Sequence, residues 1–345
     1  INCMDMPEAI ARVVAGENLS QAEMIEVMKL IMTGEATASQ IGGFLVGLQI
    51  RGETVDEITG AALVMRELAT KVEVDTTGLL DTCGTGGSGS NKFNISTASA
   101  FVASAAGARV AKHGNRSASS NSGSADLLEK AGANIILQPY QVARCIDNIG
   151  VGFLFAISHH NAMKHAIGAR KEMAVRTIFN LLGPLTNPAG ATRQLLGVFD
   201  QKWIKTIAHV LEKLGSKHVM VVHSEDGLDE ISIASPTNIS ELKNGVVTNY
   251  KITPEQFGFE RASLESLRVK NPEQSLALVY GALSGKNNKA SDIVALNAGA
   301  AIYVSGTVDS LGDGVEMARD VIGTGLALEK MKDFTDFTNQ VAANG

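Results

Sequence analysis

A glycine-rich stretch between an apolar segment and a small-residue segment places the strongest constraint on the fold of this chain. Leu79 and Leu80 end the apolar segment, four glycines follow at positions 84, 86, 87 and 89, and Ser96-Thr97 introduces small residues at 98–106. Hydroxyl residues before such a run are typical of a helix N-cap. Glycines permit positive φ and expose backbone N–H groups, and a helix start adds unpaired donors. The stretch predicts a strand, a phosphate-binding loop and a helix.

These glycines also allow two other interpretations, a dinucleotide-binding loop and a purely structural turn. The spacing Gly84-x-Gly86-x-x-Gly89 satisfies the dinucleotide-binding fingerprint, which expects an acidic residue about 20 positions further on. Residues 110–115 contain a lysine, a histidine and an asparagine but no acid, which disfavours a dinucleotide. A purely structural turn, in which glycines let the strand and helix pack closely, stays open.

Composition and charge limit the class of protein. The chain has 345 residues, of which 45% are hydrophobic and 19% are charged, enough for two domains with a substantial core. A net charge of −6 disfavours a dedicated nucleic-acid binder. Cys3, Cys83 and Cys145 fit neither a disulfide framework nor a zinc site. Because no stretch approaches the roughly 20 apolar residues of a membrane span, we expect a soluble, cytoplasmic protein that binds neither nucleic acid nor membrane.

The first 70 residues or so predict short helices. Capping boxes occur at Ser20-x-x-Glu23, Thr37-x-x-Gln40 and Thr54-x-x-Glu57, and Gly34 and Gly52 stand where the first two of these helices should end. The middle segment, 41–48, is apolar nearly all round. We therefore expect it inside a helical cluster or at a subunit contact.

From residue 72 onward, short apolar runs alternate with helical patterns. Candidate strands are 79–82, 109–112, 134–137, 152–156, 195–199 and 218–222, and candidate helices are 125–131, 139–146 and 203–214. This alternation is typical of a mainly parallel sheet covered on both faces. Asn244-Gly245 between runs 239–242 and 246–250 predicts an antiparallel hairpin, and the tail predicts helices at 291–304 and 309–331.

Residues 159–177 predict one helix, which we expect to pack back on the N-terminal helices. The predicted fold class is therefore α/β, with a small all-helical N-terminal domain that includes a later helical insertion, and a large α/β domain with a central, mainly parallel sheet. The small domain would comprise 1–76 and about 160–182, and the large domain 77–159 and 183–345. A cleft between domains is a common place for a small-molecule site.

Four polar clusters supply candidate chemistry. They are Lys112-His-Gly-Asn-Arg-Ser117, Ser119-Ser-Asn-Ser-Gly-Ser124, Asp226-Gly-Leu-Asp229-Glu230, and His159-His160 with Lys164, His165 and Arg170. The first follows a strand, on the face where parallel sheets bind ligands, and the second suggests another phosphate cradle. The acids suit hard cations such as Mg²⁺, which also takes phosphate oxygens. A solvated turn, simple helix caps and an exposed acidic loop are the corresponding structural alternatives.

The histidine cluster favours carboxylate binding over metal binding. His160 and Lys164 have the i, i+4 spacing that would place both on one helix face, but acid or thiolate ligands are missing nearby. Arg170 is better suited to hold a carboxylate. No nucleophile elbow, cysteine–histidine pair or retaining-type carboxylate pair stands out, so we expect a reaction in which bound pyrophosphate leaves by electrostatic stabilisation.

In order along the chain, these motifs resemble the anthranilate phosphoribosyltransferase family. The resemblance rests on the Gly-Thr-Gly-Gly loop, Asn94-Ile-Ser-Thr97, Lys112-His-Gly-Asn-Arg116, Ser122-Gly-Ser124, Phe179-Asn-Leu-Leu-Gly-Pro-Leu-Thr-Asn-Pro188 and Asp229-Glu230. It implies transfer of phosphoribosyl from phosphoribosyl pyrophosphate to anthranilate, with Mg²⁺ as cofactor. It also implies a homodimer through the helical domain.

The resemblance assigns residues to three groups. The phosphoribosyl pyrophosphate group is Gly84, Thr85, Gly86, Gly87, Ser88, Asn94, Ser96, Thr97, Lys112 and Ser124. The anthranilate group is His113, Asn115, His160, Arg170, Gly183 and Pro184, and the metal group is Ser96, Asp229 and Glu230. The resemblance implies no catalytic acid or base.

Two rival functions fit the sequence less well. Pyrimidine nucleoside phosphorylases carry a Lys-His-Ser-Thr-Gly-Gly type of loop, which is absent here. A non-catalytic relative that binds nucleic acid is disfavoured by the net charge of −6 and by the presence of both the Lys112 turn and the acidic pair.

Ser88 is the clear departure from the family, whose loop usually continues Gly-Thr-Gly-Gly-Asp. A hydroxyl there removes a negative charge beside the pyrophosphate, while Ser96, Asp229 and Glu230 remain. We predict that activity is retained with an altered Mg²⁺ dependence, and that Ser88→Asp shifts the Mg²⁺ titration curve. Superimposable titration curves for the wild type and the variant would contradict this prediction.

Overall fold

The computed structural model describes residues 3–345. The helices are α1 Met6–Val14, α2 Gln21–Met32, α3 Ala38–Arg51, α4 Val55–Leu68, α5 Ile95–Ala105, α6 Ser124–Lys130, α7 Pro139–Ile149, α8 Ala156–His159, α9 Lys164–Met173, α10 Phe179–Leu182, α11 Trp203–Lys213, α12 Pro272–Leu283, α13 Asn288–Ser305, α14 Leu311–Gly323 and α15 Leu326–Ala343. The strands are β1 Leu79–Gly84, β2 Arg109–Gly114, β3 Val151–Phe155, β4 Arg193–Gly197, β5 His218–Ser224, β6 Thr237–Lys243 and β7 Val246–Ile252.

The N-terminal helices begin where their capping boxes predict. Ser20, Thr37 and Thr54 each accept a hydrogen bond from the third residue of α2, α3 and α4, and each Glu or Gln at that position reaches back to the cap. Gly52 ends α3 with φ of 89°. One face of α3 is buried, and α9 packs against α2 and α3, so the later helical segment returns to the N-terminal helices.

Strands β1 to β5 are parallel, and β6 and β7 continue the sheet antiparallel in the order β3-β2-β1-β4-β5-β6-β7. The order reverses between β1 and β4, and a crevice forms at the carboxyl ends of such a pair. Asn244 and Gly245 have φ of 53° and 75° and join β6 to β7, as the hairpin signal predicted. The predicted fold class is confirmed.

Helices cover both faces of the sheet. Side chains alternate between the two faces along each strand. Leu80, Val110 and Leu195 lie on the face covered by α5 and α13. Cys83, Leu196 and Val221 lie on the face covered by α11 and the N-terminal helices. Within residues 3–345, no helix combines the length and apolarity needed to cross a membrane.

The candidate strand at 134–137 is wrong. Asn134 donates its backbone N–H to the Thr338 hydroxyl at 3.0 Å, and Ile136 donates its own to the Asn134 side chain at 3.0 Å. Ile136 is 69% exposed. These amides are satisfied by side chains, and therefore the segment joins no ladder.

Three predicted helices also need correction. The segment 159–177 is not one helix: His160 has φ −116° and ψ 60°, a 3₁₀ turn follows, and α9 begins only at Lys164. His160 and Lys164 consequently do not share a helix face. The predicted tail helix at 309–331 is two helices, because the chain turns at Gly325 with φ of 82°. Finally, Asn94 occupies the N-cap of α5, so Ser96 and Thr97 lie inside its first turn.

Candidate active site

The glycine loop leaves the sheet at the switch point between β1 and β4. Gly86, Gly87 and Gly89 have φ of 66°, 78° and 69°, a region that side chains disfavour. Thr85 anchors the loop: its N–H donates to the Gly197 carbonyl at 2.9 Å, and its hydroxyl accepts from Phe199 N–H at 3.0 Å. The loop therefore presents its backbone at the carboxyl ends of the strands.

Asn94 holds the start of α5 against the rest of the site. Its carboxamide oxygen accepts from the Ser122 and Ser275 hydroxyls at 2.8 Å and 2.6 Å, and its Nδ2 donates to the Ser122 carbonyl at 3.0 Å. The side chain makes no capping bond of its own. The N–H groups of the first turn of α5 are thus left for other acceptors.

Lys112 is buried beneath the start of α5. Only 3% of its surface is exposed, and its Nζ donates to the Ser96 hydroxyl at 3.2 Å and to the Thr82 carbonyl. Burial lowers the pKa of Lys112, while the nearby carboxyls of Asp81 and Glu230 oppose that effect. The Lys112 ammonium therefore lies beneath the N-terminus of α5. Both its charge and the N–H groups of the helix start favour an anion at this place.

Asp229 and Glu230 reach the same place from the loop after β5. A Cβ built on Gly84 would lie 3.5 Å from Asp229 Oδ2, and one built on Gly197 would lie 1.7 Å from the Asp229 carbonyl oxygen. The approach of the acidic loop therefore requires glycine at position 197, whereas the 3.5 Å separation at Gly84 is ordinary van der Waals contact. The Ser96 backbone and the Lys112 charge both act to lower the pKa of the Glu230 carboxyl, so this carboxyl lies near the start of α5 and near the Lys112 ammonium.

These two carboxyls fit a divalent cation. Burial first, and then the charge of Asp229, raises the pKa of Glu230 well above its usual range, and burial also raises the pKa of Asp229. A divalent cation between the two carboxyls would stabilise their charged forms and so oppose both pKa increases. Residues 3–345 contain no cluster of three or more His, Cys, Asp or Glu side chains suited to a metal. A metal here would need further oxygen ligands from water or a phosphorylated ligand, as Mg²⁺ commonly does.

Ser88 lies next to this acidic pair. Its hydroxyl is 2.9 Å from that of Ser90, and its proximity acts to lower the pKa of Asp229, which burial raises. The residue that departs from the family loop thus lies near a candidate metal ligand.

Ser124 and Asn115 form a second contact between loop and helix. Ser124 begins α6, and its hydroxyl donates to the Asn115 carbonyl at 3.4 Å. A Cβ on Gly114 would lie 2.0 Å from Ser124 Oγ, so the glycine permits this approach. Arg116 points away, paired with Glu129 at 2.7 Å.

His113 belongs to the opposite face of the sheet from Lys112, because adjacent strand residues alternate. Its Nδ1 lies 3.1 Å from the Gly183 carbonyl oxygen, and its ring centroid lies 5.1 Å from that of His160. The Nε2 atoms of both rings are buried and have no hydrogen-bond partner in the described part of the chain. Burial lowers the pKa of His113 well below its usual range and that of His160 to about 4. Two neutral imidazoles therefore lie side by side.

Gly183 and Pro184 form the turn that faces this pair. They follow α10 in a 3₁₀ turn, and the Pro184 carbonyl accepts from Gln194 Nε2 at 2.7 Å. Arg170 lies in α9 with its guanidinium 5.3 Å from the centroid of the Phe179 ring. Among residues 3–345 its guanidinium forms no ion pair, so it is free for an external carboxylate.

Two residues that help to build the site have no recognisable sequence pattern. Asp81 is fully buried and accepts from His113 N–H at 3.1 Å and from Asn187 Nδ2 at 2.9 Å. Arg176 donates to the Gly87 carbonyl and stacks 4.3 Å above the Phe199 ring. Asp81 is hidden within an apolar strand, and Arg176 lies 89 residues from its partner, so neither has a local pattern.

Comparison with known proteins agrees with this geometry. The family model described as "Glycosyl transferase family, a/b domain" matches residues 76–328, and "Glycosyl transferase family, helical bundle domain" matches 7–69. The anthranilate phosphoribosyltransferase of Thioalkalivibrio sulfidiphilus is 61% identical over 335 residues, which cover 97% of this chain and 99% of that relative. The chain belongs to the anthranilate phosphoribosyltransferase family. A second member, from Teredinibacter turnerae, is 59% identical over 97% of this chain and 100% of its own length.

Two solved structures of the family share the fold. The anthranilate phosphoribosyltransferase of Thermus thermophilus superposes with a TM-score of 0.91 at 44% identity, covering 96% of this chain and 99% of that one. The enzyme of Saccharomyces cerevisiae, in complex with PRPP and Mg, superposes with a TM-score of 0.88 at 25% identity, covering 97% and 98%.

The buried histidines predict a pH-dependent stability. Burial lowers the pKa of His160 from 6.5 to about 4, so the unfolded state binds more protons between those values. The free energy of unfolding should therefore fall as pH drops through this window, by up to about 3 kcal/mol for this group. Urea unfolding of wild type and His160→Gln should show the difference between their unfolding free energies narrowing from about pH 7 to about pH 4.

Parallel stability curves for the wild type and His160→Gln would refute the assignment of a buried, neutral His160.

Proposed function

We propose that the chain transfers the phosphoribosyl group of phosphoribosyl pyrophosphate to the amine of anthranilate, giving phosphoribosyl anthranilate and pyrophosphate. Membership of the family supports this reaction, as does the complex of the Saccharomyces cerevisiae relative with PRPP and Mg. The observation that carries the proposal is the meeting of Lys112, Ser96 and Glu230 at the start of α5, beside a glycine loop with positive φ. That arrangement suits a pyrophosphate with a divalent cation.

On the donor side, the loop from Gly84 to Ser88 and the first turn of α5, with Asn94, Ser96 and Thr97, would hold phosphoribosyl pyrophosphate. Lys112 would supply the fixed positive charge, and Ser124 would meet the ligand from the second loop. Ser96, Asp229 and Glu230 would hold Mg²⁺. When bound, Mg²⁺ neutralises charge on the departing pyrophosphate.

On the acceptor side, Arg170 would bind the carboxylate of anthranilate, and His113, Asn115, His160, Gly183 and Pro184 would line its path. Because the imidazoles are neutral, they do not add positive charge near the attacking amine, and their free Nε2 atoms can take part in hydrogen bonds with it. Deeper in the structure, Asp81 fixes the backbone of His113.

In the reaction, the bond between the anomeric carbon and the pyrophosphate oxygen breaks, and the amine nitrogen forms the new bond to that carbon. The amine then loses one proton to solvent, which balances the equation. The chain's own residues position both substrates and stabilise the charge of the leaving group, so no side chain needs to act as nucleophile.

The decisive experiment follows the fluorescence of anthranilate. Addition of phosphoribosyl pyrophosphate and Mg²⁺ should abolish it in the presence of the protein, and a chelator should prevent the loss. Phosphorolysis of uridine or thymidine without this loss would instead indicate a pyrimidine nucleoside phosphorylase. A gel shift of single-stranded DNA without it would indicate a nucleic-acid-binding relative.

Arg170→Ala should raise the KM for anthranilate much more than the KM for phosphoribosyl pyrophosphate. Losing a charge-assisted hydrogen bond costs about 1.5–3 kcal/mol, or about 10- to 150-fold. Steady-state kinetics with each substrate varied in turn would measure the effect. Lys171→Ala removes the neighbouring, exposed charge of α9 as a control. Equal increases in both KM values would count against this role for Arg170.

We further propose that residues 1–76 and about 160–182 form one small helical domain, that 77–159 and 183–345 form the other, and that the protein is a cytoplasmic homodimer. The three free cysteines suit a reducing compartment. For the dimer, Ile50 of α3 is 82% exposed and Val14 of the adjacent α1 is 74% exposed. Two large apolar side chains on neighbouring helices favour contact with a second copy.

Sedimentation velocity at micromolar concentration should therefore give a dimer, and Ile50→Glu should shift it to monomer because a charge would be buried in the contact. Ile136→Glu places the same charge at a 69% exposed site outside the helical part and should remain dimeric. A monomeric wild type would refute the dimer, and a dimeric Ile50→Glu variant would refute this interface.

A further inference from the structure

A polar cavity of about 410 Å³ lies at the amino ends of the parallel strands, whereas the candidate active site lies at their carboxyl ends. It is bounded by the amino ends of β4 and β5, the turn between β6 and β7, and the C-terminal end of α13. Its lining includes Arg193, Lys217, His218, Lys243, Tyr303 and Asp309. Strand β4 has five residues, so the cavity lies about 13 Å from the strand end that contacts Asp229.

Strand pairing brings the basic residues together. Arg193 pairs with His218, and His218 pairs with Lys243. Paired residues on adjacent strands point to the same face of the sheet, and neighbouring strands lie about 5 Å apart. Lys217 adjoins His218 at the start of β5. The register of three strands therefore sets the spacing of this basic group.

Arg193, Lys217 and Lys243 form no ion pair within residues 3–345. Arg193 donates one Nη1 bond to the Val304 carbonyl at 2.8 Å, but its Nε is buried without a partner. Because a buried, charged N–H group without an acceptor is costly, it points to an acceptor from outside the chain.

The Glu241 carboxylate, which contacts His218, is already hydrogen-bonded within the protein. Glu241 accepts from His218 Nε2 at 2.7 Å and from the Tyr250 hydroxyl at 2.6 Å. Lys243 donates to the Tyr303 hydroxyl at 3.3 Å, and the His218 and Tyr303 rings meet edge to face at 4.7 Å. Among residues 3–345, Asp309 is the one carboxylate that lines the cavity, together with the cations Arg193, Lys217 and Lys243.

We propose that this cavity binds a small phosphate dianion, as free phosphate or as a phosphomonoester, through Arg193, Lys217 and Lys243. The guanidinium fork binds two oxygens of such a group, and the two ammonium groups neutralise its charge. The cavity is larger than a phosphate ion, so a small organic group esterified to the phosphate also fits. This site is separate from the proposed pyrophosphate site, and its test does not depend on turnover.

Isothermal titration calorimetry at constant ionic strength provides the test, with inorganic phosphate and ribose 5-phosphate as separate probes. The variant Lys217→Ala/Lys243→Ala removes two exposed charges from the cavity. The control Lys286→Ala/Lys289→Ala removes two exposed, unpaired lysines elsewhere among the described residues. All three proteins keep the same candidate active site, so any binding there contributes equally.

We expect the cavity variant to lose one binding event per chain that the wild type and the control retain. The probe whose binding differs more between the wild type and the cavity variant identifies free phosphate or a phosphomonoester as the ligand. Circular dichroism and the fluorescence assay should be unchanged in the cavity variant, because neither lysine belongs to the core or to the proposed active site. Identical titrations of all three proteins with both probes would overturn the proposal.

Discussion

The buried ammonium of Lys112 is the interaction on which the candidate site depends. It joins the end of β1, through the Thr82 carbonyl, to the first turn of α5, through Ser96. A buried cation is tolerated only where acids compensate it, and Asp81 and Glu230 do so here. The cation, its two acids and the helix start therefore depend on one another, and they meet near the carboxyl ends of the paired strands β1 and β4.

The alternation of strand residues divides the site into two chemical halves. Lys112 points to the face of α5, with the glycine loop and the acids, whereas His113 points to the turn at Gly183 and to His160. One half is charged and suits phosphates; the other contains neutral imidazoles and suits an aromatic amine. In the proposed function, these two adjacent residues of β2 would therefore face the phosphoribosyl donor and the amine acceptor on opposite sides of one strand.

Local signals predicted much of the fold. Capping boxes, the Asn-Gly hairpin and the glycine loop depend on residues only a few positions apart. The structures that they predict are therefore the ones found in the folded protein. Segment 134–137 had the pattern of a strand, but its amides are hydrogen-bonded to side chains instead. The helix predicted over 159–177 is interrupted at His160, whose ring lies beside that of His113. Such errors arise where tertiary contacts override propensity.

The sequence by itself determined the chemistry that the chain can offer: a glycine loop, a basic turn, an acidic pair and their order, because these are carried by contiguous residues. Only the tertiary structure decided which of them meet. Asp81 with Asn187, Arg176 with Gly87, and the row from Arg193 to Lys243 are set by strand register and by long-range packing. Their partners lie far apart along the chain, so no local pattern encodes them.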